Sequence, residues 1–205
     1  MREKRWYPIL YMFCVTAFFS SIVIGFSQFT RDRVTANQQI TFEHAVLSVL
    51  PGMYDPKASD LELHKKFEER LDKPDESSAG AYTLKENGHL VAYALPIEGQ
   101  GFWATIKGVI GIDADKKTIT GLFIYEQNET PGLGAEIAAP PFRNQFEGKV
   151  ISATDKPLNI KRPGSELGQS DVHAVTGATQ TSTRLEKVIN DALKSWQQNI
   201  TGEDN

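Results

Sequence analysis

The sequence is nearly without cysteine. Cys14 is the only one in 205 residues, and it lies in an apolar run near the N-terminus. Beyond that run there is no disulfide, no thiolate nucleophile and no set of iron–sulfur ligands. Of the four histidines, His44 and His64 fall in helix-patterned stretches with no second ligand at metal spacing, so they read as surface or core histidines. No metal site is expected. There is no Gly-x-Ser-x-Gly, no phosphate-cradling Gly-Lys-Ser/Thr, and no strand followed by a Gly-rich turn and a helix, which removes support for a serine hydrolase, a P-loop or a Rossmann nucleotide site. No nucleophile with a partnered base is found, so no catalytic residue is assigned. An excess of positive charge is also missing. The first 33 residues hold five basic and two acidic side chains, leaving 17 basic against 24 acidic in residues 34–205, a formal charge of −7. That argues against nucleic acid as a partner.

What is present is a globular composition, 40% hydrophobic and 23% charged, long enough for one ordinary domain with extra segments. From Tyr7 or Pro8 to Phe29 no residue is charged, and about 20 such residues span a bilayer. Arg2, Lys4 and Arg5 precede the run, Trp6 and Tyr7 sit at the expected headgroup level, and Arg31 and Arg33 follow it with Asp32 between them. The balance favours an N-terminus inside. The apolar stretch is long for a signal peptide and no small-x-small cleavage pattern follows it, so it is read as an uncleaved, single-pass anchor. The expected organisation is then an anchor over residues 1–33, a helical connector over 34–80 and a domain over 81–200.

Residues 34–40 read as a polar connector, and residues 41–50 as a helix with Phe42, Ala45, Val46, Val49 and Leu50 on one stripe, stopped by Pro51-Gly52. A second short helix begins at Ser59, where Ser59 and Glu62 can form a capping box and Leu63, Phe67 and Leu71 face inward. After a loop over 73–80 the period changes to that of strands: 82–85, a turn at Asn87-Gly88, 90–95, then 101–111 and 118–125. This predicts an antiparallel meander. Gly108 and Gly111 inside strands imply bulges or the close approach of a ligand. Phe142 to Lys149 should form a short helix and turn with Phe142 and Phe146 inward, and Leu158-Asn159-Ile160 a strand. The last helix carries Leu185, Val188, Ile189, Ala192, Leu193 and Trp196 on a single stripe. Its start is expected at Thr181 to Thr183, with Thr183 and Glu186 as its cap. Trp196 is assigned to the core. The fold class is α+β.

Two stretches stand out. Thr176-Gly177-Ala178-Thr179-Gln180-Thr181-Ser182 precedes that last helix, with five of seven side chains small or hydroxylated and one glycine. Gly177 and Ala178 let a bulky ligand approach the backbone, Thr179 presents a hydroxyl, and the helix N-terminus favours a phosphate. A hydroxyl-rich helix cap is the plainer reading of the same residues. The other stretch is Glu129-Thr130-Pro131-Gly132-Leu133-Gly134-Ala135-Glu136-Ile137. Its Pro-Gly favours a turn with positive φ at a glycine, exposing backbone N–H groups and leaving Leu133 projecting.

The first stretch resembles the flavinylation motif of the FMN-binding subunits in the sodium-translocating NADH:quinone oxidoreductase (Nqr) and Rnf electron-transport complexes. The second resembles another segment of that family, in the same order and spacing, and the likeness runs from about Gly101 to Trp196. The Gly-Phe-Trp at 101–103 is more similar to the sodium-pump branch, NqrC; the short length is more similar to the Rnf branch, RnfG. The resemblance implies an FMN-binding domain with an antiparallel sheet flanked by helices. It implies FMN joined through its phosphate to Thr179 by a separate flavin transferase, with Thr176, Gly177, Ala178, Thr181 and Ser182 around the attachment point. Glu129, Thr130, Pro131, Gly132, Leu133 and Gly134 would lie against the flavin ring. One position departs from the family pattern: His173 stands where an aspartate is usual, and the nearest aspartate is Asp171.

The expected function is a membrane-anchored electron carrier, with its soluble domain on the extracytoplasmic (periplasmic) side of the inner membrane. It would be an electron-transfer component of a redox-driven ion pump, working with that complex's other membrane subunits. The alternative from another class is an anchored binding or assembly module without a redox role, in which the Thr179 stretch is only a helix cap.

Overall fold

The structure, a computed structural model, describes residues 6–201. Arg2, Lys4 and Arg5, on which the expected orientation rests, lie outside the described residues. The chain divides into two compact units, Met1–Ile40 and Thr41–Asn205. Helix α1 (Tyr7–Val49) runs on through residues 34–40, where the sequence pattern suggests a connector. The reason is local. No glycine or proline occurs between Ser27 and Leu50, so nothing interrupts the helical hydrogen bonds until Pro51-Gly52. In the first unit, α1 is long and apolar enough to cross a membrane, and none of that apolar stretch is buried within the protein. Its large side chains, among them Phe13, Phe18, Phe19, Phe26 and Phe29, are exposed.

The second unit is built on a five-stranded antiparallel sheet in the order β1-β2-β3-β4-β5. The strands are β1 (Leu71–Asp72), β2 (Tyr82–Glu86), β3 (His89–Gln100), β4 (Thr105–Asp113) and β5 (Ile119–Glu126). The Asn87-Gly88 turn has positive φ at both residues, 52° and 81°, the geometry of a type I′ hairpin. Alternation along the strands gives the sheet two apolar faces. Ala92, Ala94 and Val109 face a cluster with Val46, Val49, Leu63 and Phe67, from the end of α1 and from α2 (Asp60–Arg70). The Ser59–Glu62 capping box of α2 is formed in both directions. His44 pairs with Asp60 at 3.3 Å and His64 with the buried Glu43 at 2.9 Å.

On the opposite face Tyr93, Leu95, Ile97, Ile106 and Ile110 meet Leu185, Val188, Ile189, Leu193 and Trp196. The latter come from the C-terminal helix, Thr179–Thr201, called α4 because a short α3 (Pro140–Arg143) precedes it. Trp196 is 1% exposed, stands edge to face with Tyr93 at 5.2 Å and donates its Nε1–H to Ser78 O at 3.1 Å. Trp196→Ala should therefore lower stability by about 3–5 kcal/mol, the range for emptying a large aromatic site, measurable by chemical denaturation.

One expectation is narrowed here and two are corrected. Gly108 and Gly111 mark bulges that serve packing within the protein rather than a ligand: the register shifts at both. A Cβ at Gly108 would stand 2.7 Å from Phe123 O, and one at Gly111 would collide with Thr120 Oγ1 and Val49 O. The strand at 158–160 is β6 (Asn159–Lys161), and it pairs in parallel with β7 (Asp171–His173), which the sequence pattern does not reveal. The last helix begins at Thr179, ahead of Thr181 to Thr183, so Thr183 and Glu186 lie within it and form no cap. Glu186 instead accepts a hydrogen bond from Ile160 N–H and pairs with Lys156 at 2.8 Å.

Candidate functional site

Three loops meet at the N-terminal end of α4, and one buried carboxylate joins them. Glu129 is 5% exposed. Its Oε1 accepts from the N–H groups of Phe102 (2.8 Å) and Trp103 (3.1 Å), in the turn between β3 and β4. Its Oε2 accepts from the hydroxyl of Thr181 at 2.7 Å. The side chain thus binds the 101–104 turn and the first turn of α4 to its own loop. Two glycines make room for it. A Cβ at Gly101 would stand 2.5 Å from Glu129 Oε1, and one at Gly134 2.6 Å from Thr181 Oγ1 and 2.9 Å from Glu129 Cβ.

The loop after Glu129 turns tightly. The N–H groups of Leu133 and Ala135 both donate to Thr130 O at 3.1 Å, and Gly132 has φ +71°, as the Pro-Gly pair predicts. A 3-10 turn follows at Gly134–Ala138, with α3 and a second 3-10 turn (Asn144–Phe146) behind it. Phe142 and Phe146 are buried there. Leu133 projects, 43% exposed, and its Cδ2 lies 3.0 Å from where a Cβ on Gly177 would be. Gly177 itself has φ +79°. A side chain at 177 would be strained and would crowd Leu133. Ala178 N–H donates to Val175 O, and Ser182 Oγ accepts from Val175 N–H at 3.2 Å. These bonds fix the approach to the helix.

Thr176, Gly177, Thr179 and Gln180 are exposed at the end of this arrangement. Thr179 is the first residue of α4, where backbone N–H groups lack partners in the helix and the dipole is positive. Joined to the first turn of that helix through Glu129 are two exposed aromatics, Phe102 and Trp103, packed edge to face at 5.0 Å. Trp103 Nε1–H donates to Thr130 Oγ1 at 3.2 Å, which ties the platform to the Pro-Gly loop. An exposed threonine at a helix N-terminus and two loops with bare backbone are thus tied through Glu129 to a pair of exposed aromatics. That set suits a ligand with a phosphate at one end and a flat ring at the other.

Comparison with known proteins bears this out at the level of the domain. Residues 101–194 match the FMN-binding domain family. That stretch is similar to FMN-binding domains of the NqrC type. NqrC of Pasteurella multocida, from its Na(+)-translocating NADH-quinone reductase, is 32% identical over 121 residues, 58% of this chain and 45% of that protein. The Yersinia pestis NqrC is 36% identical over 108 residues, 51% and 41% of the two. The matched segments thus span less than half the length of these curated relatives. The crystal structure of the Parabacteroides distasonis NqrC superposes with a TM-score of 0.70 at 25% identity, covering 83% of this chain and 96% of that one. NqrC of Shewanella oneidensis shares the fold, with a TM-score of 0.53 at 23% identity and coverage of 65% and 70%.

Within the stretch that matches this family the twelve residues singled out in the sequence fall into two groups. Thr176, Gly177, Thr179, Thr130, Pro131, Gly132 and Leu133 border the surface. Glu129, Thr181, Ser182, Ala178 and Gly134 lie inside, at or below 6% exposure for the first four, and the polar ones are already engaged by protein groups. Phe102 and Trp103 escape the sequence reading as site residues. Periodicity puts them in a strand over 101–111, but β4 starts only at Thr105, and Gly101 N–H closes a turn onto Ala104 O at 2.8 Å. A signal is there: two consecutive aromatics after Gly-Gln-Gly break the alternation that a half-buried strand needs.

Asp171, the aspartate nearest to His173, is engaged within the fold. Its carboxylate is 10% exposed and pairs with Lys161 at 2.7 Å, and it accepts from Gly168 N–H at 2.7 Å and Asn159 Nδ2–H at 3.0 Å. His173 N–H donates to Gln145 Oε1 at 2.8 Å. The Lys161 bond, then the Gly168 N–H, hold Asp171 down to about 2 from 3.8. A depressed carboxylate contributes stability that is complete above its unfolded value near 4 and is lost as pH falls through about 2. Acid titration should therefore remove about 2 kcal/mol in that window, and Asp171→Asn should flatten it in thermal melts taken from pH 6 to pH 2.

Proposed function

We propose that this chain is a membrane-anchored flavoprotein electron carrier, with FMN joined through its phosphate to Thr179. The observation that carries the reading is the exposed Thr179 at the first residue of α4, two residues after Gly177, on a helix turn that Glu129 joins to the exposed Phe102 and Trp103. When bound, FMN supplies the electron-transfer chemistry, and the protein needs only to hold and orient it. The N-terminus of α4 offers N–H groups to the phosphate. Glu129 keeps the three loops in register. Trp103, Phe102 and Leu133 give the ring an apolar side, and the bare backbone at Gly132 and Gly177 lets it come close. A covalent tether suits an exposed shelf: it retains the flavin without an enclosing pocket and leaves its edge open for transfer.

The relatives named above are subunits of a Na(+)-translocating NADH-quinone reductase, and this chain is read as working in the same way, with the other membrane subunits of such a complex. The apolar stretch of α1 is read as its single-pass anchor in the inner membrane, N-terminus inside and domain outside, and a flavin transferase as its maturation partner. The test is flavin fluorescence of the full chain on a denaturing gel after co-expression with a flavin transferase. A fluorescent band supports the carrier. A dark band, with no flavin released on denaturation, leaves the anchored binding module as the reading.

A further inference from the structure

Among the described residues three buried side-chain polar atoms lack a hydrogen-bond partner: His44 Nε2, Ser48 Oγ and Arg143 Nε. The first faces Asp60 at 3.3 Å. The other two line a single cleft, separate from the surface around Thr179. It measures about 230 Å³ and is bordered by Ser48, Tyr54, Thr120, Phe123, Arg143 and Glu147. Four of these, Ser48, Tyr54, Thr120 and Glu147, also border an adjoining open cleft of about 530 Å³, room enough for a small molecule. Orphaned buried donors are rare, and each calls for an acceptor.

Arg143 is held in one orientation. Its guanidinium carbon lies over the Phe123 ring, 4.1 Å from the centroid, and the side chain takes part in no ion pair among the described residues. Burial lowers its pKa from the ordinary arginine value, an effect that the nearby Tyr54 opposes. A stacked guanidinium keeps its edge free, and that edge matches the two oxygens of a carboxylate or phosphate. Ser48 brings a hydroxyl donor to the same space. Thr120 does not compete for the ligand, since its hydroxyl donates to Val49 O at 2.6 Å.

We propose that this cleft binds a small molecule through an oxyanion, a carboxylate or a phosphate, with Arg143 as the charge partner and Ser48 as the second donor. Glu147 stands exposed at the rim. Its charge disfavours a second negative charge on the ligand, so a singly charged carboxylate is held better than a phosphate dianion.

Isothermal titration of the full chain in detergent, with acetate and inorganic phosphate in separate arms, tests this, and the Arg143 Nε–H resonance followed by NMR locates the site. The expected result is saturable binding of at least one anion with a shift of that resonance. Arg143→Gln should abolish binding, and Arg143→Lys, which keeps the charge but not the fork, should weaken it about tenfold. Glu147→Gln should tighten phosphate more than acetate. Ser48→Ala, a change small enough to fold, should weaken both anions. No saturable binding of either anion, or binding that leaves the Arg143 resonance unmoved, overturns the proposal. Acetate held more tightly than phosphate supports a carboxylate ligand, and phosphate held more tightly overturns the preference assigned to Glu147.

Discussion

Thr179→Ala is expected to carry no covalent flavin at all, while folding as the parent does. In the presence of a flavin transferase, the intact mass of the parent chain should rise by one FMN, with the adduct on the peptide holding Thr179. The variant should show the bare mass. The effect is complete because a phosphoester needs the hydroxyl oxygen, and no neighbour can replace it. Thr181 and Ser182 are 3% and 2% exposed, with their hydroxyls bonded to Glu129 and to Val175 N–H. Thr176 is exposed but precedes the helix and its free N–H groups. Thr179 itself is exposed, so its loss should change stability by no more than about 0.5 kcal/mol. Thr179→Ser retains an oxygen at the same place and should retain the adduct. An adduct surviving in Thr179→Ala would move the attachment point elsewhere, and no adduct in the parent would remove the tether from the reading.

The contrast between hydroxyls that are exposed and those that are buried is only half legible in the sequence. The stripe from Leu185 to Trp196 and the meander between Tyr82 and Tyr125 follow from periodicity alone, because burial of one face is a local property of a helix or a strand. The turn at Asn87-Gly88 and the capping box at Ser59 follow from local chemistry in the same way. The start of α4 does not: hydroxyl residues at 179, 181, 182 and 183 all suit a cap, and only tertiary contacts, Thr181 on Glu129 and Ser182 on Val175, select where the helix begins. The parallel pairing of β6 with β7 is invisible for a related reason. Each strand has three residues, too few to show a period, and the pairing is secured by Asp171, Asn159 and Lys161 across the gap. The motif loops can be read as neighbours only through the family resemblance, since the chain between them, residues 138–175, carries no signal of contact.

Glu129 is the residue on which that neighbourhood depends, and its replacement should have the largest effect on the fold of the site. Its two oxygens accept from two backbone N–H groups and one hydroxyl, all three donors being directed at a carboxylate that is 5% exposed. Hydrogen bonds to a charged group contribute about 1.5–3 kcal/mol each, and donors left buried without a partner bear the desolvation penalty in full. Glu129→Ala should thus cost about 3–5 kcal/mol. It should also free the Phe102–Trp103 turn from the first turn of α4, so flavin attachment should fall even in the fraction that folds. Glu129→Gln separates the two roles. The amide can keep its oxygen on the Phe102 and Trp103 N–H groups and donate from its NH2 to Thr181 Oγ1, a hydroxyl that accepts as well as donates. The charge is lost but the three bonds can be kept, so the variant should cost less than Glu129→Ala. Thr181→Val removes one bond only and should cost less than Glu129→Ala. The measurements are denaturation midpoints for the four chains and the flavin-to-protein ratio after modification. If Glu129→Ala matched the parent in both, the side chain would be a bystander to loops held in place by Gly101, Gly134 and the tight turn at Pro131 alone.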